Sequence, residues 1–375
     1  MAGQIRIRMY RAGFGDCFLI TLPSADGSRW ILVDCGVHFR GNAGTLDQAV
    51  ADIETETQGK LDLVIATHVH QDHISGFSTY VARFRAMRPN HVWMPWTDND
   101  GDASALRLAK RQDALVHALS AVRPDHYALN NLAPNRTALD LLRKYWPGAG
   151  AKIEFLTAGD LRSPAAGIPG LKASILGPPR DEAFLRQMEP PPGDHYFRAA
   201  AAKEAGEAAK PLQPFLDRYK WTPEVPPLDG KFAARLRESI LEDPEALAMK
   251  LDSVRNNTSL VVLFEYGGRT LLFPGDAEYG NWRAWVEKPE AAEILGKVDF
   301  YKVSHHGSYN GTPKSALEKM TNPGLAAMLS TMNKPWPSIP REGLVNRLKE
   351  KAGSRLLRTD ETNKLYLDYF VPVED

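Results

Sequence analysis

The most informative segment of the chain reads Thr67-His68-Val69-His70-Gln71-Asp72-His73-Ile74-Ser75-Gly76, and it follows the apolar run Leu61-Asp62-Leu63-Val64-Ile65-Ala66. Three imidazoles and one carboxylate fall within six positions, directly after a predicted buried strand. A loop leaving such a strand can direct all four side chains inward, and neutral imidazoles with a carboxylate suit zinc, manganese or iron. Buried His and Asp side chains without partners would be unfavourable. The segment therefore predicts a metalloenzyme, in preference to a polar loop that happens to be rich in histidine.

Further polar side chains follow other predicted strands. Asp34 comes after the strand at 29–33, and Asp276 comes after a strand that ends at residue 273. His305 and His306 follow the strand at 300–303, so that five of the ten histidines lie in two clusters at strand ends. Because strand ends hold ligands rigidly, this clustering favours a metal or catalytic role for the two histidines. For Asp276, a simple turn-capping role after Gly275 is an equal alternative.

The overall composition is that of a globular protein. Of the 375 residues, 43% are hydrophobic, and 46 basic residues balance 46 acidic ones. Bulk charge therefore does not support nucleic-acid or membrane binding, although a local basic patch is compatible with it. The two cysteines, Cys17 and Cys35, lie in apolar runs, which favours buried free thiols over a disulfide. No apolar run of about 18 residues and no signal-peptide core occurs, which predicts a cytoplasmic protein without membrane contact.

Strand and helix patterns alternate along the chain and predict an α/β fold in one domain covering residues 1–375. Two strand-rich halves, each with helices beside its sheet, indicate two packed sheets covered by helices on both outer faces. The region of about 178–254 lacks strand patterns and is rich in Pro, Ala, Lys and Glu. It is predicted to be a mostly helical insertion, with a disordered linker as the alternative. Predicted strands lie near residues 5–9, 17–22, 29–33, 61–66, 91–94, 153–156, 171–176, 259–266, 269–273, 300–303, 326–330, 356 and 366–370.

These residues resemble a known family. The signature at 68–73, with Asp34 before it and Asp276 and His305 after it, resembles the metallo-β-lactamase superfamily. More narrowly, the chain is similar to the hydrolase domain of ComEC-type DNA-uptake channels and their stand-alone relatives. The likeness covers most of the chain and implies an αββα four-layer sandwich with one or two divalent metal ions, Zn²⁺ or Mn²⁺. It is carried by Gly13-Phe14-Gly15-Asp16, Asn256-Asn257-Thr258-Ser259-Leu260-Val261, Leu272-Phe273-Pro274-Gly275-Asp276-Ala277 and Lys302-Val303-Ser304-His305-His306-Gly307-Ser308.

The resemblance also implies a set of metal ligands. His68 and His70 would hold the first metal, and Asp72 and His73 would hold the second. Asp276 would bridge the two metals. Asp72 is in addition a candidate catalytic residue, because it lies beside the water that two cations would share.

The remaining candidates surround this centre. The resemblance implies that His305 completes the second metal site and that Asp34 orients a ligating histidine. His306, as a candidate catalytic residue, and Ser308 are placed to contact developing negative charge, with a well-packed loop as the alternative. Asn257 is a candidate for orienting a ligand or binding substrate.

Two departures from the family pattern affect these expectations. Many members carry a further His after a strand that corresponds here to Ser174-Ile175-Leu176-Gly177-Pro178-Pro179, which has none. The first metal would then be held by His68, His70 and Asp276 alone. Relatives also often place a His before the last Pro of the loop Asn333-Lys334-Pro335-Trp336-Pro337-Ser338-Ile339-Pro340, which lacks one. A leaving-group acid is therefore not expected from this loop.

The leading functional hypothesis is a metal-dependent hydrolase of phosphodiesters, either a nuclease or a phosphodiesterase. Balanced charge and the lack of a basic, aromatic-rich segment favour a small nucleotide or a short single strand over duplex DNA. The alternatives are hydrolysis of a carboxylic ester, lactone, thioester or β-lactam, and an effector subunit of a larger assembly. In the last case, the insertion at 178–254 would offer a surface to a protein partner.

Overall fold

The computed structural model describes residues 3–122, 135–196 and 254–374. The strands are β1 (Gln4–Tyr10), β2 (Cys17–Leu22), β3 (Arg29–Cys35), β4 (Lys60–Ile65), β5 (Arg88–Pro95), β6 (Lys152–Leu156), β7 (Leu161–Arg162), β8 (Lys172–Gly177), β9 (Val261–Tyr266), β10 (Arg269–Phe273), β11 (Phe300–Lys302), β12 (Ala326–Leu329), β13 (Leu356–Arg358) and β14 (Tyr366–Pro372). The helices are α1 (Leu46–Thr57), α2 (Gln71–Thr79), α3 (Val81–Ala86), α4 (Ala103–Val122), α5 (Arg136–Asp140), α6 (Trp146–Gly148), α7 (Glu182–Leu185), α8 (Tyr279–Val286), α9 (Ala291–Gly296), α10 (Lys314–Leu317) and α11 (Glu342–Ala352).

The strands form two sheets of seven strands each. The first has the order β14-β1-β2-β3-β4-β5-β6, and the second has the order β13-β12-β11-β10-β9-β8-β7. Neighbouring strands from β3 to β6 are parallel, as are those from β10 to β13. The candidate ligands follow the carboxyl ends of strands in these two parallel blocks, so the topology brings them to one edge of the molecule.

Three apolar layers hold the sheets and helices together. The central layer packs side chains of both sheets against each other, including Phe18 of the first sheet and Phe273 of the second. One outer layer packs α1 and α2 against the first sheet, with Val50 and Phe77 as members. The other packs α8, α9 and α11 against the second sheet, with Trp282 as a member. The αββα four-layer sandwich expected from the sequence is thereby confirmed.

The strand predictions agree closely with the structure where short apolar runs are bounded by turn residues. The pair Gly267 and Gly268 joins β9 to β10 as expected, with φ values of 52° and 72° and with Tyr266 facing Arg269. Two details differ. The two-residue strand β7 was not predicted, because so short a run has no measurable alternation. In addition, α2 begins at Gln71, so that Asp72 and His73 lie on a helical turn and not in the expected loop.

The predicted helical insertion at 178–254 lies for the most part outside the described residues. Its described beginning contains α7, whose first turn is capped by Asp181 through a hydrogen bond from the amide of Ala183. Among the residues that are described, no helix combines the length and the apolar character that crossing a bilayer requires.

A buried arginine ties the edge strand β14 to β1 and α1. The side chain of Arg8 is 3% exposed, and its Nε and Nη2 donate to the two carboxylate oxygens of Asp368, both at 2.8 Å. Its Nη1 donates to Asp52 at 2.6 Å and to Glu56 at 3.1 Å. The guanidinium also lies 3.5 Å from the ring centroid of Tyr366. One buried cation thus satisfies three carboxylates from two elements.

We expect Arg8→Met to lower the free energy of unfolding by about 3 kcal/mol, because removing one partner of a buried ion pair leaves the others without compensation. Urea unfolding followed by circular dichroism measures this loss. Arg347→Met is the matched control, since Arg347 pairs with Glu318 where both side chains are about one-third exposed and exposed pairs contribute little. Equal losses in the two variants would contradict the expectation.

Candidate metal centre

Four buried side chains from three parts of the chain converge at the edge of the sandwich. Asp72 and His73 come from the first turn of α2, Asp276 follows β10, and His306 follows β11. Nε2 of His73 and Nε2 of His306 lie 3.0 and 3.1 Å from Oδ2 of Asp276. Nε2 of His306 also lies 3.3 Å from Oδ2 of Asp72. One ligand atom from each of the four fits within 4.8 Å of the others, which is the arrangement of a metal site.

The donor atoms of this cluster fit a divalent cation. Nε2 of His73, Nε2 of His306 and Oδ1 of Asp72 have no hydrogen bond of good geometry to any described residue. Burial lowers the pKa of His73, but Asp276 and Asp34 outweigh it and raise that pKa well above its usual value. Burial also lowers the pKa of His306, but Asp276 and Asp16 outweigh it and raise that pKa to about 10. The buried carboxylates therefore favour a positive charge beside them, which a bound metal ion would supply as a proton does.

A second pair of imidazoles stands beside this cluster. Nε2 of His68 and Nδ1 of His70 lie 3.0 Å apart, and both residues are buried. Burial lowers the pKa of His70 to about 3 and places that of His68 well below its usual value, so both rings are neutral and able to bind a cation. A third ligand cannot come from Gly177, at the end of the strand where many family members carry a further His. A Cβ at this position would lie 1.9 Å from Oδ1 of Asn281.

Asp34 holds the signature segment in place from behind. It adopts a positive φ of 55° at the end of β3 and accepts hydrogen bonds from the amide and the hydroxyl of Thr67 at 2.8 and 2.7 Å. Its Oδ2 lies 2.8 Å from Nδ1 of His73. This contact directs the opposite nitrogen, Nε2, at Asp276. The geometry is that expected of a carboxylate that orients a ligating histidine.

A glycine brings Asp276 close to the signature. Gly275 has a φ of +57°, and a Cβ at this position would lie 2.7 Å from Cβ of Thr67. Only glycine combines that conformation with that approach. The amide of Asp276 donates to Oγ of Ser259 at 3.1 Å, which fixes the carboxylate that follows the turn.

The structure separates the two neighbouring histidines of the 304–308 block. His305 and His306 both have positive φ, 47° and 51°, so their rings diverge. Nδ1 of His306 donates a hydrogen bond to the carbonyl of Ser330 at 2.9 Å, and Nε2 points into the cluster. His305 is 18% exposed and contacts Ser308 at 2.8 Å and Asn256 at 3.2 Å. The structure thus brings His306, and not His305, into the four-residue cluster.

We expect His306→Gln to lose at least about 100-fold in affinity for one metal equivalent, because ligand loss exceeds the effect of losing an orienting group. His305→Gln, the matched variant, is expected to keep its full metal content. Elemental analysis after dialysis against a graded series of chelator concentrations compares the two proteins with wild type. The opposite pattern would restore the sequence-based assignment of His305.

Two charged residues of the centre were not singled out from the sequence. Nζ of Lys302, 2% exposed, forms an ion pair with Asp16 and lies 3.1 Å from Oδ1 of Asp276. It also donates to the carbonyl of Gly275 at 2.8 Å. Burial opposes a raised pKa for Lys302, yet the two carboxylates raise it. A lysine inside the apolar strand at 300–303, together with the Asp that ends Gly13-Phe14-Gly15-Asp16, was the available signal.

The other predicted residues lie around the centre in supporting positions. Asn257 accepts hydrogen bonds from the amides of Glu278 and Asn281 at 3.1 and 3.2 Å and donates to the carbonyl of Gln187 at 2.8 Å. It therefore connects the turn after β10 to the segment after α7. Ser308 donates to Oδ1 of Asn310 at 2.6 Å and, through its contact with His305, fixes that ring near the cluster.

Residues 10–113 match the sequence profile of the Metallo-beta-lactamase superfamily. The resemblance to this superfamily is confirmed. The matched residues include Asp34 and the whole signature at 67–76. The match covers the first sheet up to β5 and the part of the site that contains His68, His70, Asp72 and His73.

A curated relative and two solved structures illustrate the range of similar proteins. Recombination protein 2 of Haemophilus influenzae is 33% identical over 93 residues, which are 25% of this chain and 11% of that protein. The chain thus matches about a tenth of that relative's length, and over this stretch the ComEC-like resemblance has support. The metallo-beta-lactamase fold protein YhfI from Bacillus subtilis is 10% identical, with 97% of this chain and 99% of that chain covered and a TM-score of 0.41. Igni18, a metallo hydrolase from Ignicoccus hospitalis, is 11% identical, with 97% and 98% covered and a TM-score of 0.39.

Proposed function

We propose that the chain hydrolyses phosphodiesters in a metal-dependent reaction, with a small nucleotide or a short single strand as substrate. The observation that carries this proposal is the place of Asp276. Its Oδ2 faces His73 and His306 at 3.0 and 3.1 Å, while Lys302 holds its Oδ1 at 3.1 Å. Oδ2 is thus available to bind a cation together with the two imidazoles, as a carboxylate ligand of a metal-dependent phosphoesterase would.

Each group has a distinct task in this proposal. His68 and His70 would hold one Zn²⁺ or Mn²⁺, and Asp72, His73 and His306 would hold the other. The bound ions would supply a water of lowered pKa and a clamp for the phosphate oxygens. Oδ1 of Asp72, without a hydrogen bond of good geometry to the described residues, is placed to accept the proton of the attacking water.

His305 takes the second catalytic position in place of His306. Its ring is 18% exposed beside the cluster, and burial lowers its pKa to about 4. The neutral ring donates from Nδ1 to Ser308, so its Nε2 is an acceptor that could take a proton at the edge of the centre. Glu278 lies 3.4 Å from Nδ1 of His305 and receives a hydrogen bond from Asn256 at 2.9 Å. These contacts keep the ring at the border between the cluster and solvent.

Charge and similarity favour a small phosphodiester as the substrate. Formal net charge is zero, so the long-range attraction that duplex-binding proteins use is weak here. The relative from Haemophilus influenzae is called a recombination protein, which agrees with a nucleic-acid substrate. A protein partner acting through the 178–254 insertion is compatible with this activity and remains a separate proposal.

The test is hydrolysis of bis(p-nitrophenyl) phosphate by protein loaded separately with Zn²⁺ and with Mn²⁺, with metal-stripped protein as the blank. We expect turnover with at least one metal, lost on stripping and restored on reloading. Parallel assays with p-nitrophenyl acetate, a lactone and a β-lactam cover the alternative bonds. Turnover of one of these, and none of the diester by protein with bound metal, would replace the phosphodiester proposal with a carboxylic-ester or lactam one.

A further inference from the structure

Four aromatic rings form a continuous row next to the candidate metal centre, in which Phe14 and His38 are buried and Trp336 and Phe39 reach solvent. The rings of Phe14 and Trp336 lie 4.8 Å apart between centroids, those of Trp336 and His38 lie 4.9 Å apart, and those of His38 and Phe39 lie 4.8 Å apart. We call these four residues the aromatic wall. They come from three segments that are distant in the chain, at 13–16, 36–41 and 333–340.

Backbone contacts make the wall a fixed platform. The amide of Phe14 donates to the carbonyl of Gly41 at 2.8 Å, and the amide of His38 donates to the carbonyl of Phe14 at 2.7 Å. A Cβ on Gly41 would lie 2.8 Å from the carbonyl oxygen of Lys334, so the third loop packs directly on the first two. The rings are therefore held by main-chain geometry.

The wall begins at the metal centre and ends in solvent. The rings of Phe14 and His306 lie 4.3 Å apart between centroids, so the innermost ring of the wall touches a candidate ligand. Phe14 is 3% exposed, Trp336 is half-buried and Phe39 is 51% exposed. A group bound on Trp336 would thus be separated from His306 by the ring of Phe14.

Two polar features of the wall point to a ligand. Nδ1 of His38 accepts a hydrogen bond from the amide of Arg40 at 3.3 Å, which places the proton of the neutral ring on Nε2. Nε2 is buried and makes no hydrogen bond with any residue in the described part of the chain. A buried donor without an acceptor is unfavourable, so an acceptor on a ligand would satisfy it. The guanidinium of Arg40 lies 5.4 Å from the ring centroid of Phe39, which adds a cation at the outer end.

We propose that the aromatic wall binds the nucleobase of the substrate, with Trp336 and Phe39 as the stacking residues. The proposal rests on the phosphodiesterase function and deepens it, because it names the class of ester: a nucleotide whose phosphate lies at the metal centre. Every nucleobase has an aromatic face that stacks on such rings irrespective of sequence. Base edges carry the hydrogen-bond acceptors that Nε2 of His38 lacks.

A binding experiment tests the wall without requiring turnover. Adenosine 5′-monophosphate and ribose 5-phosphate carry the same phosphate and sugar, and only the first carries a base. Isothermal titration of each into zinc-loaded protein gives the contribution of the base as a ratio of affinities. We expect a ratio of about tenfold or more in wild type, falling towards one in Trp336→Ala and in Phe39→Ala.

Two further variants control for unspecific effects. Trp336→Phe keeps an aromatic face and is expected to retain most of the ratio. Phe370→Ala removes a ring that is 49% exposed on β14, outside the wall, and is expected to leave the ratio unchanged. Circular dichroism and metal content confirm that each variant is folded and loaded. An equal affinity of wild type for the two probes, or a ratio that the wall variants leave intact, overturns the proposal.

A kinetic experiment separates failure of the wall from failure of the function. Thymidine 5′-(p-nitrophenyl phosphate) and methyl p-nitrophenyl phosphate share a leaving group and differ in the nucleoside. We expect kcat/KM to favour the nucleoside ester, through KM, and this preference to shrink about tenfold in Trp336→Ala. If wild type hydrolyses neither ester, the phosphodiesterase proposal fails, and the titration alone then supports or overturns the wall as a base-binding site.

Discussion

Asp276→Ala is expected to abolish hydrolysis by at least a factor of about a thousand and to remove most of the bound metal. The carboxylate is 1% exposed and is the one side chain within 3.1 Å of both His73 and His306 among the described residues. Its loss leaves two imidazoles without the anion that neutralises a divalent cation between them. Metal content after dialysis, and turnover of bis(p-nitrophenyl) phosphate, measure the two effects on the same preparation.

The fold should survive this substitution, and the reason lies in Lys302. Its ammonium keeps the ion pair with Asp16 and the carbonyl of Gly275 at 2.8 Å, so no buried charge is stranded. Gly275, which makes the turn, is untouched. Asp181→Ala, at an exposed helix cap, is the matched control and should keep both metal and activity. A folded Asp276→Ala protein with full metal content would show that Asp276 is not a shared ligand.

Short-range patterns were enough to predict the fold and the location of the site. Apolar runs bounded by Gly and Pro gave the strands, and the pair Gly267-Gly268 gave the hairpin, because turn geometry depends on neighbours in sequence. The signature at 67–76 was enough to predict the candidate metal-binding segment, because its candidate ligands are near neighbours in sequence. Asp276 was placed correctly at the edge of the sheets because it directly follows a strand end.

Features that depend on contacts between distant parts of the chain could not be predicted from the sequence. His305 and His306 are adjacent and chemically alike. The direction of each ring depends on two consecutive positive φ values, which cannot be predicted from the residue type. The aromatic wall joins Phe14, His38 and Trp336 from loops far apart in the chain. The ion pair between Asp16 and Lys302 likewise links the segment before β2 in the first sheet to β11 in the second. Such contacts arise only when the sandwich closes.

Both charges of the ion pair between Asp16 and Lys302 are almost fully buried, at 1% and 2% exposure. Lys302→Met would remove the ammonium that pairs with both Asp16 and Asp276. We expect metal-free protein to lose about 3–5 kcal/mol of unfolding free energy, measured by urea denaturation in chelator. Metal loading should then stabilise the variant more than wild type, since a divalent cation replaces part of the missing charge.

The double variant Lys302→Met/Asp16→Asn turns this expectation into a double-mutant cycle. Asparagine removes the uncompensated charge while keeping the shape of the side chain, so the double variant should be more stable than Lys302→Met alone. We expect a coupling free energy of about 2 kcal/mol or more. The cycle includes Asp16→Asn alone; if Lys302→Met alone does not fold, a folded double variant shows that removing the uncompensated charge of Asp16 rescues the fold. Additive losses would mean that Lys302 stabilises the protein through packing and not through its charge. The contact between Lys302 and Oδ1 of Asp276 at 3.1 Å would then not be what positions Asp276.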